Sequence, residues 1–464
     1  MNQKQTPNYT FALIVVIAVC FLIGFVTTMN NSMIAFCKST FSLSDTQGQL
    51  VNSAFYGMYA FSILLGLLMN KIGYKKTMVG GLAIVSLGFL LCYFGIGSFA
   101  GENGMINVPQ DAEAAKALTT SVFYTFLACM ACVAIGIVML QLVANPYVMV
   151  LGSPEKGAFR MTLSQAINSV ATVFAPMFVA KLIVSGDPAE GAIVKELKEK
   201  LAIDPNYAMS NPTAEGLASQ IDPTQITTPF LGLCIFVAVL VVILSFLKLP
   251  EIKEGDTSFD SNKTYKSSVF KYPHVWLGAL AICLYMGLEI GVPSMIPAKI
   301  QSLYPNVGDH WISAIATGIL AFYWGGMMVG RFAGSIVLNK FQPRTILSFC
   351  LIAGAACIGL SFVLPGMAGV WAMLVAGLFH SVMWPLIFNL GLQELGPHTK
   401  AGSGVINMGV IGGGFLTVCM GLIITNYTKT GDIATGVGIA IGLMFLFYLY
   451  ELWFCWKGSK VGLK

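Results

Sequence analysis

Charged residues are scarce in this chain. Only 10% of its 464 residues are Asp, Glu, Lys or Arg, while 56% are hydrophobic. Soluble globular proteins carry roughly 25% charged residues, so this composition excludes a water-soluble fold. The formal net charge of +5 is small for a chain of this length and predicts no nucleic-acid partner. We therefore expect a protein that crosses a lipid bilayer many times, with the bilayer as its surroundings.

The chain also lacks the motifs that mark common catalytic and metal sites. It contains no Gly-rich phosphate loop, no cluster of metal ligands and no nucleophile elbow. No acid–base pair is visible either, which predicts that the chain is not an enzyme and holds no cofactor or metal. Its cysteines lie nearly all within apolar runs. Even the C-x-x-C pair of Cys129 and Cys132 has no polar flanks, so we interpret the cysteines as packing residues.

Long apolar runs, by contrast, are abundant. A membrane-spanning helix needs about 20 mostly apolar residues. The first run continues from Phe11 far beyond the core of a signal peptide, so we expect it to remain as a helix. Twelve runs reach the required length, and they lie at 10–37, 46–70, 77–97, 118–150, 158–185, 228–248, 273–301, 310–338, 344–365, 368–393, 399–427 and 432–456.

Two long polar segments divide this series of helices. The second of them lies near the midpoint of the chain and is typical of a linker between two bundles. Lysine and arginine are about twice as frequent on the connections that share a side with the N terminus, which predicts that both termini are cytoplasmic. The predicted organisation is helices one to five in 1–185, an external insertion at 186–227, helix six in 228–248, a cytoplasmic linker at 249–272 and helices seven to twelve in 273–464.

An internal repeat supports this division into halves. The stretch from Gln141 to Pro146 places amides and a proline at the end of an apolar run, and the second half repeats it at a constant offset without a gap. The matched pairs are Gln141 with His380, Pro146 with Pro385, Gly157 with Gly396, Ser164 with Ser403, Ile167 with Ile406 and Asn168 with Asn407. The pattern predicts an all-α membrane protein of two pseudo-symmetric six-helix bundles, with a polar site between them.

Glu289 is the one carboxylate that we expect well inside the membrane. An ionisable group in hydrocarbon is a functional candidate by default, because its burial is costly. It could exchange a proton, ligate Na+ or accept hydrogen bonds from a hydroxylated substrate. The alternative is an internal ion pair with Arg331, which we also place inside a span, and the two interpretations are compatible.

The connection after the second helix carries a basic motif with two glycines. It reads Gly66-x-x-x-Asn70-Lys71-x-Gly73-Tyr74-Lys75-Lys76 and resembles the loop signature of the major facilitator superfamily, with Asn70 in place of the usual acid. Glycines allow two helices to approach, while basic groups contact the carbonyl ends or acids of a neighbour in one conformation. The alternative is an ordinary basic loop. We expect a gating role for Gly66, Lys71, Gly73 and Arg331.

Longer stretches are similar to the fucose–galactose–glucose symporter family of that superfamily. They extend from helix one to helix eleven and comprise Ser53–Tyr56, Leu140–Gly152, Phe159–Ser169, Tyr285–Glu289, Leu395–Ser403 and Ile411–Gly414. The resemblance implies uptake of a neutral monosaccharide together with H+ or Na+, through a cavity that opens alternately to each side. It also implies a monomer in the bacterial inner membrane.

Amides and aromatic residues within the apolar runs are suited to such a substrate. Each amide donates and accepts hydrogen bonds, and tryptophan offers a face for a sugar ring. For a single amide the alternative is a hydrogen bond that joins two helices, and for His380 it is a core histidine bonded only to protein. The candidate substrate-binding residues are Asn31, Gln141, Asn145, Gln165, Asn168, Glu289, Trp324, His380, Trp384, Asn389 and Asn407.

Two positions depart from the L-fucose branch of that family, which carries acids where this chain has Asn31 and Gln141. Glutamine at 141 together with Glu289 is similar to the glucose/galactose branch instead. Because an amide cannot change its charge, we expect ion coupling at Glu289. The alternatives are a Na+-coupled transporter, an uncoupled uniporter or a membrane sugar sensor without transport.

Overall fold

Helices make up nearly all of the structure, because a segment in hydrocarbon must satisfy its own backbone hydrogen bonds. The structure, a computed structural model, describes residues 9–41, 45–48, 50–109, 111–151, 156–179, 220–247, 249, 265–306 and 309–463. The helices of the first half are α1 (Thr10–Phe41), α2 (Asp45–Gly48), α3 (Leu50–Gly57), α4 (Ser62–Gly97), α5 (Ala112–Val150), α6 (Gly157–Phe178) and α7 (Thr224–Phe246).

Two local features organise the first half. A 3-10 turn, Met58–Phe61, joins α3 to α4. Within α4, Gly73 has a φ of 83°, a left-handed conformation that residues with a Cβ adopt only at a cost. This break turns the chain back, so that α4 contains the end of one span and the whole of the next. The short strands β1 (Ile106–Asn107) and β2 (Gln220–Ile221) pair antiparallel and tie the segment before α5 to the segment before α7.

The second half has shorter helices because several of its spans are broken. Its helices are α8 (Pro273–Glu289), α9 (Gly291–Leu303), α10 (Asp309–Val337), α11 (Pro343–Val363), α12 (Met367–His380), α13 (Met383–Gly391), α14 (Thr399–Met408), α15 (Gly412–Lys429) and α16 (Ile433–Trp456). The 3-10 turns are Val269–Lys271, Gly396–His398, Gly409–Ile411 and Gly458–Lys460.

Twelve membrane crossings are consistent with these helices. Among the described residues, 8 helical stretches are long and apolar enough to span a bilayer, and α12 with α13, bent by 42° at their junction, supplies another. One of the stretches, Leu50–Gly97, has 48 residues and turns back at Gly73, so it provides two crossings. The helices α6 and α10 complete the set, and α6 is the less apolar of the two because it carries Gln165, Asn168 and Thr172 toward the central cavity.

One predicted boundary differs from the structure. Helix α7 begins at Thr224, whereas the sequence predicts 228; the predicted end of helix five at 185 lies outside the described residues. The start of α7 is polar and suggests a loop, but the Asp222 carboxylate accepts a hydrogen bond from the backbone N–H of Thr224 at 2.8 Å and so supports the first turn. Most of the predicted insertion (186–219) and most of the predicted linker (250–264) lie outside the described residues.

The two halves touch closely at one end of the bundle, which we call the inner end and predict to be cytoplasmic. A Cβ on Gly404 of α14 would lie 2.8 Å from the carbonyl oxygen of Ser62 and 3.3 Å from the Cα of Gly66 in α4. Nearby, the Lys400 ammonium lies 5.0 Å from the ring centroid of Tyr74. Tyr74 in turn stacks on Tyr147 at 5.0 Å. These contacts close the inner end.

Candidate functional site

A central cavity lies between the two halves, with about 660 Å³ of space between its lining atoms, part of it open to solvent. Its walls come from α1, α3, α5 and α6 on one side and from the spans that contain α8, α10, α13 and α14 on the other. The lining residues are Ile23, Gly24, Thr27, Thr28, Asn31, Tyr56, Tyr59, Gln141, Gln165, Asn168, Thr172, Met286, Glu289, Ile290, Trp324, Arg331, Trp384 and Val410.

The wall from the first half is built of amides and hydroxyls. The Asn31 side chain and the Tyr56 hydroxyl form a hydrogen bond at 3.3 Å. The Asn168 amide donates to the carbonyl oxygen of Cys20 at 2.7 Å, where Gly24 lets α6 approach α1. A Cβ at Gly24 would lie 2.5 Å from the Asn168 carbonyl. This wall therefore presents neutral donors and acceptors in a fixed arrangement.

Three polar atoms of the residues that line this cavity have no hydrogen-bond partner among the described residues. They are the Thr27 and Tyr59 hydroxyls and the Gln141 Oε1 atom, all of them buried. A buried polar group without a hydrogen bond is costly, and native interiors rarely leave one in that state. The three residues line one cavity, so a polar ligand that reaches these atoms there would supply the missing hydrogen bonds.

The opposite wall combines aromatic faces with an ion pair. Trp384 stacks on Phe388, with ring centroids 5.0 Å apart and planes inclined by 14°, and Trp324 lines the cavity from α10. The Arg331 guanidinium lies 3.3 Å from the Glu289 carboxylate. Since both ions line the same cavity, their charges largely cancel there.

Arg331 bonds to a backbone carbonyl group that a proline in a neighbouring span leaves without its helical donor. Pro385 has no N–H, so the carbonyl oxygen of Ser381, four residues earlier, lacks its helical partner. The Arg331 Nε–H donates to that oxygen at 3.0 Å. The same guanidinium also donates to the Ser169 hydroxyl of α6, so Arg331 links the second half to the first half of the chain.

A second proline, Pro293, determines the tautomer of His380 by freeing another carbonyl group. Pro293 leaves the carbonyl oxygen of Glu289 without its helical donor, and the Tyr323 hydroxyl donates to it at 3.0 Å. The hydroxyl proton is then committed, so His380 Nδ1, 2.7 Å from the Tyr323 oxygen, must be the donor. His380 Nε2 is left to accept from the Tyr448 hydroxyl. This network assigns the Nδ1–H tautomer and encloses the ring between two tyrosines.

Removing the imidazole should destabilise the fold. In His380→Leu the buried Tyr448 hydroxyl loses its partner, and we expect a loss of about 1–3 kcal/mol in the free energy of unfolding. Thermal unfolding of the purified protein in detergent measures it. His380→Leu combined with Tyr448→Phe removes both partners and should recover most of the loss, because exchanging a bonded pair for apolar groups is nearly neutral. Equal melting of the two variants would contradict the network.

The structure brings eight of the predicted residues together around the cavity and places the others elsewhere. Those that line it are Asn31, Gln141, Gln165, Asn168, Glu289, Trp324, Arg331 and Trp384. His380, Asn145 and Asn407 are buried outside the lining, and Asn389 is half-buried in α13. Of the predicted gating residues, Gly66 packs between the halves, Gly73 forms the break in α4, and Lys71 is exposed.

Several lining residues are not among the sequence predictions. Thr27, Thr28 and Thr172 belong to them, as do Tyr56 and Tyr59. Threonine and tyrosine are common in membrane helices, so their presence in an apolar run carries little signal. The spacing of Tyr56 and Tyr59 by one helical turn is the feature that could have indicated a shared face.

The expectation that Glu289 is the one carboxylate deep in a helix is wrong. Glu451 in α16 is fully buried, and neither of its carboxylate oxygens has a hydrogen-bond partner among the described residues. It lies five residues before the end of α16. Glu451 is not among the residues that line the cavity.

Comparison with known proteins relates this architecture to transporters. Residues 16–418 match the family model of the Major Facilitator Superfamily. The chain is 30% identical over 460 residues to a glucose/galactose transporter of Brucella abortus biovar 1 (strain 9-941), covering 99% of this chain and 97% of that protein. It is 26% identical over 427 residues to the L-fucose-proton symporter of Escherichia coli (strain K12), covering 91% and 89% of the two chains.

The fold is also similar to solved structures. The major facilitator transporter FucP in its outward conformation matches with a TM-score of 0.70 at 23% identity, over 97% of this chain and 99% of that chain. The proton:xylose symporter XylE matches with a TM-score of 0.64 at 14% identity, over 95% of each chain. The predicted all-α fold of two six-helix bundles is therefore confirmed, and this chain belongs to the major facilitator superfamily.

Proposed function

We propose that this chain is a secondary active transporter that takes up a neutral monosaccharide by cation symport with alternating access. The observation that carries the proposal is that three residues lining one cavity, Thr27, Tyr59 and Gln141, each hold a buried polar atom without a hydrogen-bond partner among the described residues. A sugar has several hydroxyl groups that donate and accept, and could bond to all three. The relatives named as glucose/galactose and L-fucose transporters support the same substrate class.

The charges of the cavity favour a neutral sugar over a charged one. Glu289 and Arg331 pair with each other at 3.3 Å, and Arg331 is further occupied by Ser381 and Ser169. An amino sugar would need a free carboxylate, and a sugar acid would need a free cation. Neither is offered by the lining residues, whereas Trp324 and Trp384 offer apolar faces for a pyranose ring.

Glu289 is the group that we assign to ion coupling. It is the carboxylate among the lining residues, and the amides around it cannot titrate. Asn31, at the position where the L-fucose branch carries an acid, is bonded to Tyr56 and keeps a constant charge. Coupling to H+ or to Na+ would then act through the Glu289–Arg331 pair.

Counterflow of labelled sugars in proteoliposomes tests this proposal. The purified chain should exchange at least one neutral hexose or deoxyhexose, and it should accumulate that sugar when a pH or Na+ gradient is applied. Exchange without accumulation under either gradient would support a uniporter instead. Binding of sugar without any exchange would support a sensor.

Loss of the Gln141 amide should weaken sugar binding. Gln141 lines the cavity, and its buried Oε1 atom has no hydrogen-bond partner among the described residues. If the sugar supplies that partner, Gln141→Ala should raise the Kd about 3- to 10-fold, the equivalent of one neutral hydrogen bond. Titration of tryptophan fluorescence with the transported sugar measures the change. Asn389→Ala is the matched control, because Asn389 lies outside the lining, and it should leave the Kd unchanged. An unaltered Kd in Gln141→Ala would remove Gln141 from the site.

A further inference from the structure

A layer of polar residues lies directly beneath the cavity, on its side toward the inner end. It consists of Ser62 at the start of α4, Asn145 in α5, and Ser403 and Asn407 in α14, and we call it the inner polar layer. All four residues are at least 97% buried. Within the part of the chain that the structure describes, each has a side-chain atom without a hydrogen-bond partner, and Asn407 has neither its side-chain oxygen nor its nitrogen bonded.

Helical register places these residues below the cavity floor. Gln141 lines the cavity, and Asn145 follows it by four residues along α5, toward the inner end. Tyr59 lines the cavity, and Ser62 follows by three residues in the same direction. Val410 lines the cavity too, and Asn407 precedes it by three residues in a span that runs the opposite way. Residues three or four apart share one face of a helix, so three spans place a polar group one turn beneath a lining residue.

The layer lies at the junction of the two halves. Gly404, next to Ser403, contacts the Ser62 carbonyl oxygen across the boundary. Asn145 accepts a hydrogen bond at 3.5 Å from the side chain of Gln165, which itself lines the cavity. Farther toward the inner end, the Lys400–Tyr74 contact closes the path. The layer therefore occupies the interval between the cavity and the closure that must open for release.

Neutral donors and acceptors in this position are costly in the closed state. If these residues served only to pack the two halves together, apolar residues would be more stable here. Replacing buried polar groups that lack hydrogen bonds by apolar groups removes the free-energy cost of their desolvation. The layer contains two hydroxyls and two amides and no charged group. Its chemistry fits a ligand with several hydroxyl groups.

We propose that the inner polar layer is a second sugar-binding station, which takes the sugar hydroxyls after the halves separate at the inner end. The inference rests on the proposed function as a sugar transporter and adds a site distinct from the cavity. While the inner end is closed, the sugar is bound by the cavity and not by the inner polar layer. When α4 and α14 part, Asn145, Ser403 and Asn407 become lining residues of the exit path and replace the bonds that the sugar leaves behind.

The test separates binding from release. Asn407→Leu should leave the Kd of the transported sugar within 2-fold of the wild type, because the cavity lining is intact, and should lower the rate of counterflow at least 10-fold. Asn407→Ser retains a donor and an acceptor and should keep most of the exchange. Ser361→Ala is the matched control, since Ser361 is equally buried in the same half but bonds to its own helix at 2.7 Å, and its exchange should equal that of the wild type.

A further measurement excludes an effect on closure alone. A single cysteine at Tyr147, in a background without native cysteines, should label from the inner side at the same rate with and without Asn407→Leu when no sugar is present. Slower labelling would mean that leucine merely stabilises the closed state, and this would overturn the proposal, as would wild-type exchange in Asn407→Leu. If the wild type neither binds nor exchanges any sugar, the proposed function itself fails, and the sugar role of the layer with it.

Discussion

Glu289→Gln should still exchange sugar across the membrane but should lose accumulation driven by a cation gradient. Glutamine has nearly the shape of glutamate, and its oxygen can still accept from Arg331, which lies 3.3 Å away. The substitution therefore keeps the shape of the cavity wall and removes the negative charge, and with it the ability to change charge; Arg331 then keeps its hydrogen bonds but loses its counter-ion, so part of the stability is lost as well. Counterflow without a gradient and uptake with one, measured on the same proteoliposomes, separate these two properties.

The way in which Glu289→Gln loses sugar accumulation depends on which ion drives transport. If transport is proton-driven, the two protonation states of Glu289 favour different conformations, and each kcal/mol of that preference shifts their ratio by a factor of about five. Fixing the neutral form abolishes this bias, so the pH gradient no longer drives uptake. If transport is Na+-driven, Glu289→Gln should instead raise the Na+ concentration required for uptake and leave little dependence on pH.

Glu451→Gln provides the matched control for this experiment. Glu451 is even more deeply buried than Glu289, but it lies in α16 outside the cavity lining, so accumulation in Glu451→Gln should equal that of the wild type. Gradient-driven accumulation at wild-type levels in Glu289→Gln would exclude Glu289 from coupling. A loss in both variants would show that any buried carboxyl is needed for the fold, which the melting temperatures would also reveal.

The site residues that could be predicted from the sequence are those whose side chains are most costly to place in hydrocarbon. Gln141, Gln165 and Asn168 stand out in apolar runs because an amide in hydrocarbon needs a partner, and all three line the cavity. Thr27 and Tyr59 line the same cavity but could not be identified, because a hydroxyl can bond within its own helix or remain near the interface. Their importance emerges only from the fold, which leaves both hydroxyls without partners.

The internal repeat predicted the two halves correctly, but it overestimated their functional equivalence. Gln141 lines the cavity, whereas its counterpart His380 is enclosed by Tyr323 and Tyr448. The difference originates at Pro293, which frees a carbonyl group that Tyr323 must satisfy. A repeat in sequence indicates that the two sets of helices share an ancestor. Which hydrogen-bond partner each polar atom has depends on neighbouring side chains, and only the packed structure defines these.

Arg331→Met should have the largest effect on stability of any single substitution considered for this protein. Arg331 is 6% exposed and bonds to the Ser381 carbonyl group, the Ser169 hydroxyl and the Glu289 carboxylate. Breaking a buried ion pair from one side leaves an uncompensated charge and costs about 3–5 kcal/mol. We expect a strongly lowered melting temperature of the purified protein and reduced amounts in the membrane.

Two further variants separate the charge of Arg331 from its geometry. Arg331→Lys retains the positive charge, but a single ammonium group cannot reach three acceptors that a planar guanidinium spans, so it should recover only part of the stability. Glu289→Gln combined with Arg331→Met removes both charges and should melt higher than Arg331→Met alone. Arg344→Met is the control, because Arg344 bonds to Ser459 within the same half. Its melting temperature should fall far less than that of Arg331→Met. If Arg331→Met melted like Arg344→Met, the guanidinium would not join the halves, and the coupling assigned to its pair with Glu289 would lose its structural basis.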